Sequence, residues 1–480
     1  MQKKNFYLTT TLPYVNASLH MGHALEFVRA DAIARYKKLV GCEIFFNTGT
    51  DEHGMKIYEK AKENNIEVQA FVNQNFLKFK ESLRAFGMSD DLHFIRTTDN
   101  KHIALAQEFW NRVYNNGYIY KKNYEAKYCV GCESEKTDSE LNEYGFCLDH
   151  NGIPLETISE ENYFFKYSEF TNKLLKFYDE NPNFIIPEFR FNEIKMFVSR
   201  GLEDFSISRL KSKMPWGIEV PGDNEQVMYV WFDALTNYIN TLDWQDNKEQ
   251  FNKYWMHGTP TQYCGKDNTR FQGAMWQAML MAAGFPNSSQ IVVNGFITGD
   301  GGVKMSKTLG NVVDPKDIVD EYGTDALRYF LLREVSNFED SPFTKERFKD
   351  AYNANLANGL GNLASRILTL SEKYLESCPA IPENSIPKEF LLKLEIFDIK
   401  GACDLIWEKV NNLDKRIQET EPFKVVKVDL EKGKALISEM VLELYTIARM
   451  LNPIMPETNE KLKALIKVNK KPENPLFLRK

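Results

Sequence analysis

Two short segments carry side chains suited to a polyphosphate. Near the start, His20-Met21-Gly22-His23 sets two imidazoles three residues apart, which on a helix places them on one face. Far downstream, Lys304-Met305-Ser306-Lys307-Thr308 follows Gly299-Asp300-Gly301-Gly302, so two lysines ride on a glycine-hinged loop able to close over a triphosphate and neutralise it. Imidazoles at a helix N-terminus add donors where free N–H groups and the helix dipole already favour anions. Gly22 removes a side chain where a nucleotide has to approach the backbone. Taken singly, the first motif reads as two solvent-exposed histidines and the second as a solvated loop. Their pairing in one chain points to chemistry on the α-phosphate of ATP.

A third cluster, Cys129-Val-Gly-Cys132 and Cys147-Leu-Asp-His150, sets two ligand pairs 14 residues apart. Three thiols and one imidazole in this pattern suit tetrahedral zinc with no open position, so one structural zinc per chain is expected. The odd total of seven cysteines argues for a reducing compartment rather than a disulfide framework. Cys42, Cys264, Cys378 and Cys403 are expected to be ordinary buried residues. In Gly265-Lys266-Asp267, an aspartate at a strand end can accept from a ribose hydroxyl. Tyr229, Trp231, Phe232 and Tyr238 gather around Asp233; by default they are core, but such a wall also suits an apolar substrate side chain, a thioether included.

The elements that position these residues follow from pattern. Residues 5–12 read as a strand ended by Pro13, and Ser18 is expected to cap the next helix. Ala24, Phe27, Val28 and Ile33 recur at helical spacing, and Gly41 suits the helix stop. A second strand at 43–47 leads to Asp51. Strand, helix, strand opens a parallel α/β sheet, whose ligands bind beyond the carboxyl ends of the strands. The pattern breaks at 116–215, which reads as an insertion, and resumes near 226; after 345 only long amphipathic periods occur, predicting a helical bundle. The expected division is therefore 1–115 and 216–298 as two halves of an α/β domain, 116–215 as the zinc-bearing insertion, 299–345 as a connecting region holding the lysine loop, and 346–480 as an all-α domain.

Bulk properties exclude other classes. Apolar residues make up 43%, with no unbroken apolar run long enough to span a membrane, and the N-terminus lacks the apolar stretch of a signal peptide; a cytoplasmic protein is expected. Net charge is −7, against a generic basic nucleic-acid coat. Residues 355–480 carry 20 Lys+Arg against 18 Asp+Glu, while the rest carries 40 against 49, so the C-terminal part is the less hostile surface for a polyanion.

Together these features resemble the methionyl-tRNA synthetase family of class I aminoacyl-tRNA synthetases, over nearly the whole chain. HMGH and KMSKT are similar to that class's HIGH and KMSKS motifs. Leu12-Pro13-Tyr14-Val15-Asn16-Ala17-Ser18, the YVWFDAL block followed by Asn237-Tyr238, and a single zinc knuckle before NYFFK are similar to the methionine branch, and the insertion is too short for the editing domain of the leucine, isoleucine and valine enzymes. The resemblance implies a Rossmann-like catalytic domain, an anticodon-binding bundle, and ligation of L-methionine to its tRNA through methionyl-adenylate, with Mg²⁺ accompanying ATP. It implies that Leu12, Tyr14, Trp231, Leu235 and Tyr238 line the methionine pocket and that Asp51 holds the ammonium. It implies that His20, Gly22, His23, Gly265, Asp267 and Ile297 cradle ATP, that Lys304 and Lys307 bind the triphosphate, and that Arg209 sits near the active site. Asn362 and Arg366 match the pair that reads the CAU anticodon. A monomer is expected, with no membrane partner.

Three positions depart from that pattern. Gln272 replaces a common histidine in contact with methionine, Phe423 replaces a tryptophan that stacks on an anticodon base, and Asp414 replaces an asparagine. Other readings are a small nucleotidyltransferase with an HxGH motif, a cysteine-specific sibling, and a non-catalytic RNA-binding zinc protein. The helical C-terminus, the four protein ligands of the knuckle, and the intact His20, His23, Lys304 and Lys307 argue against them in turn.

Overall fold

The computed structural model describes residues 4–132, 134–136, 140–303, 313–382 and 386–480. Its centre is a six-stranded parallel sheet in the order β3 (His93–Arg96), β2 (Glu43–Thr50), β1 (Asn5–Thr9), Thr259–Gly265, Gln290–Asn294 and Ile185–Ile186. The strands read as apolar runs because both faces are covered, the pattern of a sheet wrapped by helices. From β1 the chain builds outward to β2 and β3, then returns to build on β1's other side. The direction of winding thus reverses beside β1, and a crevice opens beyond the carboxyl ends of β1, β2 and Thr259–Gly265.

The helix α1 (Met21–Leu39) follows β1 and ends as its residues dictate: Lys37 and Lys38 fill the last turn, and Gly41 takes φ 87°, which glycine accepts without a Cβ penalty. The start differs from expectation. Ser18 is not the cap; the N-cap is His20, whose Nδ1 accepts from the backbone N–H of Gly22 (3.1 Å) and His23 (3.4 Å), while His23 Nδ1 accepts from the N–H of His20 (3.2 Å). The first strand is also shorter than the expected 5–12, ending at Thr9.

The insertion is an antiparallel hairpin, Ile119–Cys129 against Glu156–Phe165, followed by helices Thr171–Glu180 and Glu188–Ser199. It is not independent of the sheet, because Ile185–Ile186 lies within it and forms the sheet's edge strand beside Gln290–Asn294. Sequence patterning missed this two-residue strand for lack of length.

Helices Asn362–Tyr374, Ile399–Thr420, Leu430–Met450 and Pro456–Lys467 form the C-terminal bundle. One buried and one part-exposed ion pair fasten it to α1. The Arg328 guanidinium meets Asp31 at 2.8 Å and donates to the carbonyls of Pro453 and Ile454, and Lys37 pairs with Glu395 at 2.8 Å. The Arg328–Asp31 pair, desolvated and hydrogen-bonded, fixes orientation more than it adds stability. The Arg29 guanidinium, also buried, is spent on Asn294 Oδ1 and the carbonyls of Val335, Ser336 and Asn337. Among the described residues no helix is long and apolar enough to cross a membrane.

Candidate active site

Beyond the carboxyl ends of the strands lies a cavity of about 310 Å³. Residues far apart in sequence meet in it: Leu12 and Tyr14 from the segment after β1, His20, Gly22, His23 and Glu26 from the start of α1, Asp51 from the end of β2, Trp231, Leu235 and Tyr238 from the YVWFDAL region, Gly265 and Asp267 after the next strand, and Gln272. Of the lining positions, Thr11, Glu26, Asn268, Asn294, Gly295 and Phe296 belong to no motif singled out by sequence. Glu26 falls one turn beyond His23, on the face that α1 turns to the crevice, and that register was the available signal.

The two imidazoles are arranged by the backbone. Their rings stack at 3.7 Å and 21°. Because both Nδ1 atoms accept from backbone N–H groups, both protons reside on Nε2. The His23 imidazole is held well below its usual pKa, first by burial and then by His20, so it is a neutral N–H donor at neutral pH. A Cβ at position 22 would lie 3.0 Å from the His20 ring, so the imidazole cap itself favours glycine there.

Glu26 is buried and accepts from Thr11 N–H (2.7 Å) and Thr11 Oγ1–H (2.6 Å). Burial, opposed by the Thr11 hydrogen bonds and aided by nearby Asp267, pushes its carboxyl up to about 7. A Cβ at Gly265 would come within 2.6 Å of Asp267 Oδ1, so a side chain there would push the Asp267 carboxylate from its present position.

The apolar wall is aromatic. Trp231 lies flat on Phe271 at 3.8 Å and 2°. Tyr238, expected by default to be core, lines the cavity, whereas Phe232 is core, packed on Phe109 and Trp110. The Tyr238 hydroxyl accepts from Gln272 Nε2 at 2.7 Å, leaving its own O–H to donate elsewhere, and burial raises its pKa well above the usual phenol value. Gln272 Oε1 is buried without a hydrogen-bond partner.

Of the other residues expected at the active site, the described ones, Arg209 and Ile297, do not line the cavity. The Arg209 guanidinium donates to Ser206 Oγ (2.8 Å) and the Ser208 carbonyl (2.7 Å) and lies over the Tyr229 ring. Ile297 is in a buried two-residue strand paired with Ser341–Pro342 and is not a lining residue either. Lys304 and Lys307 fall outside the described residues; Gly295 and Phe296, shortly upstream, do line the cavity. On the bundle, Asn362 is exposed, Arg366 one turn on is ion-paired with Asp414, and Phe423 is 39% exposed. Asp414 also accepts from Gln418 Nε2 at 2.6 Å.

Ligand atoms of Cys129, Cys132, Cys147 and His150 all lie within 4.8 Å of one another, a cluster able to hold a metal ion. Cys132 Sγ is 3.5 Å from Cys147 Sγ and 3.2 Å from His150 Nδ1. A Cβ on Gly131, between the first two cysteines, would strike the His150 ring at 2.5 Å, so the ring is seated over the Cys-X-Gly-Cys turn. Of the other four cysteines, Cys264 and Cys403 are buried as expected, but Cys42 and Cys378 are only half-buried.

The family described as tRNA synthetases class I (M) matches residues 6–151 and 147–368. The chain belongs to this family. It is 41% identical over 476 residues to a methionine–tRNA ligase of Caldanaerobacter subterraneus subsp. tengcongensis, covering 96% of this chain and 73% of that one. It is 38% identical to that of Streptomyces coelicolor, covering 96% and 89%. Among solved structures, Mycobacterium tuberculosis methionyl-tRNA synthetase in complex with methionyl-adenylate superposes with a TM-score of 0.88 at 36% identity, covering 96% of this chain and 94% of that one. Its free form gives 0.85 at 32%, covering 100% and 99%. Within this family the parallel sheet, the insertion and the helical C-terminal region are shared architecture.

Proposed function

We propose that this chain joins L-methionine to its cognate tRNA in two steps, with methionyl-adenylate as the intermediate, and that the cavity at the strand ends is where the adenylate forms. One observation carries the reading: a paired-imidazole helix start, an acidic strand end and an aromatic wall, scattered from Leu12 to Gln272, line one cavity. Asp51 holds the methionine ammonium, a charge pair that burial strengthens. Leu12, Tyr14, Trp231, Leu235 and Tyr238 enclose the thioether, and the Tyr238 O–H, turned away from Gln272, donates to sulfur. The methionine carboxylate then attacks the α-phosphorus in line and pyrophosphate leaves, with no protein nucleophile. The His20 and His23 Nε2–H groups donate to phosphate oxygens as charge builds, preorganised because their Nδ1 atoms are already committed. Lys304 and Lys307 neutralise the β- and γ-phosphates, where Mg²⁺ bound with ATP would add charge compensation, and Gly265 and Asp267 take the ribose. In the second step a hydroxyl of the tRNA's terminal adenosine attacks the adenylate carbonyl and AMP departs.

The bundle selects the tRNA, with Asn362, Arg366 and Phe423 meeting unstacked anticodon bases. Zinc fits the Cys129, Cys132, Cys147 and His150 donors and closes the tip of the insertion hairpin as a structural ion. Methionine-dependent ATP–pyrophosphate exchange, run across a panel of amino acids, tests the main reading. Exchange is expected with methionine alone; exchange with another amino acid, or none at all, would overturn it. Cys132→Ser should lose one zinc per chain by metal analysis, and unchanged zinc content would remove the ion from this knuckle.

A further inference from the structure

Beside the cavity, and not lining it, lies a fully buried carboxylate gripped by two imidazoles. Asp233 Oδ2 is 2.6 Å from His53 Nδ1, and Asp233 Oδ1 is 2.7 Å from His102 Nε2. The three side chains are nearly inaccessible. A carboxylate can only accept, so it fixes the proton of His53 on Nδ1 and that of His102 on Nε2. His102 Nδ1 is then left to accept from Asn240 Nδ2 at 3.4 Å. Both Asp233 oxygens are thereby satisfied in a place where an unsatisfied carboxylate would be expensive.

The residues come from three elements, two of which, the helices Asn100–Asn115 and Val230–Leu235, also pack through Phe109, Trp110 and Phe232. His53 stands two residues beyond Asp51 at the end of β2, Asp233 lies between Trp231 and Leu235 on the helix Val230–Leu235, and His102 lies on the helix Asn100–Asn115. The backbone around Asp51 is itself pinned. Asp51 N–H donates to the Pro13 carbonyl and Gly54 N–H to the Trp216 carbonyl, and the Glu52 carboxylate is taken by Arg96 and Thr50. On the other side, Phe232 is locked among Phe109, Trp110 and Phe165. Asp233 adds a buried link between these two rigid parts, one carrying the proposed ammonium anchor and the other the proposed side-chain wall, beside the Thr241 bond to Asn47.

We infer that the His53–Asp233–His102 cluster is a positioning device that sets the span between Asp51 and the Trp231–Leu235 wall, and so tunes the site to the length of its amino-acid substrate. This rests on the functional reading above. A substrate held at both ends binds well only if the two anchors stand at its own length apart, since small misplacements cost large factors. ATP touches neither anchor, so its binding should be indifferent to the cluster.

Pyrophosphate exchange with methionine and ATP varied separately tests this. Asp233→Asn, which turns one acceptor into a donor facing an imidazole N–H, should raise the KM for methionine at least tenfold and leave that for ATP within twofold. His53→Ala should act in the same direction, and His53→Asn, which restores an N–H near the Nδ1 position, should recover most of the loss. A folded variant with unchanged methionine KM, equal rises in both KM values, or no difference between His53→Ala and His53→Asn would overturn the proposal; a core polar network with no positioning role predicts those results together with a lowered melting temperature. If Asp233→Asn does not fold, the two His53 variants decide alone. Wild-type protein showing no exchange with methionine would break the functional reading instead, a separate outcome read before any variant is made.

Discussion

In the cavity, Glu26 and the two imidazoles beside it are held by backbone and side-chain partners close around them, and Glu26 is almost out of contact with water. At the bundle, Arg366 and Asp414 bridge two helices with their side chains 34% and 35% exposed. The contrast suits what each region is proposed to meet. Charge development on a phosphate rewards donors that are already aimed and need not reorganise. A single-stranded loop of RNA arrives in many conformations and rewards groups whose partners can be exchanged at small cost.

The sharpest way to break this comparison is at His23. His23→Ala should slow pyrophosphate exchange by about 10²–10³, on the scale of one lost electrostatic donor, with little change in melting temperature. His20 does two jobs, so it separates them. His20→Ala should lose rate and also about 1 kcal/mol of stability as α1 loses its cap, whereas His20→Asn should keep the stability and lose the rate. If the alanine and asparagine variants melt alike, the imidazole cap contributes nothing.

Glu26 tests burial itself. Its carboxyl sits at about 7 in the folded protein against an ordinary value near 4.5, so folding is favoured while the group is protonated, fully below about 4.5, and that contribution is lost as pH rises through 7. Glu26→Gln cannot ionise. Its stability relative to wild type should therefore improve across that window by on the order of 3 kcal/mol, followed by denaturant unfolding at several pH values. Parallel pH profiles for the two proteins would show that the carboxylate is not penalised.

The smallest expected effect is at the exposed end. Asp414→Asn removes the charge that occupies Arg366 and should lower the KM for tRNA two- to fivefold, an amount in keeping with a half-exposed pair worth under about 1 kcal/mol. Pyrophosphate exchange should not change. A weaker affinity for tRNA would instead mean that Asp414 keeps Arg366 in its productive orientation.

Much of this was legible without coordinates. The strand–helix–strand start, the glycine stop of α1 and the helical bundle follow from local periodicity and propensity, which neighbouring residues set among themselves. The metal-ligand cluster follows from spacing, because a hairpin brings two close pairs together over a short loop. Most cavity residues were reachable through motifs at strand ends. Ser18 is not the cap because the helix starts two residues later, where an imidazole accepts the Gly22 and His23 N–H groups, a use of histidine that residue preference alone does not suggest.

What sequence could not decide is whatever depends on pairs distant along the chain. Gln272 meets Tyr238, Asp414 meets Arg366, and Asp233 is shared by His53 and His102 from two other elements. The edge strand Ile185–Ile186 is a strand only because Gln290–Asn294 lies beside it. Local chemistry chose the elements and named the candidate groups; only packing, which turns separations of tens to well over a hundred residues into hydrogen bonds, set their protonation states and the shape of the space between them.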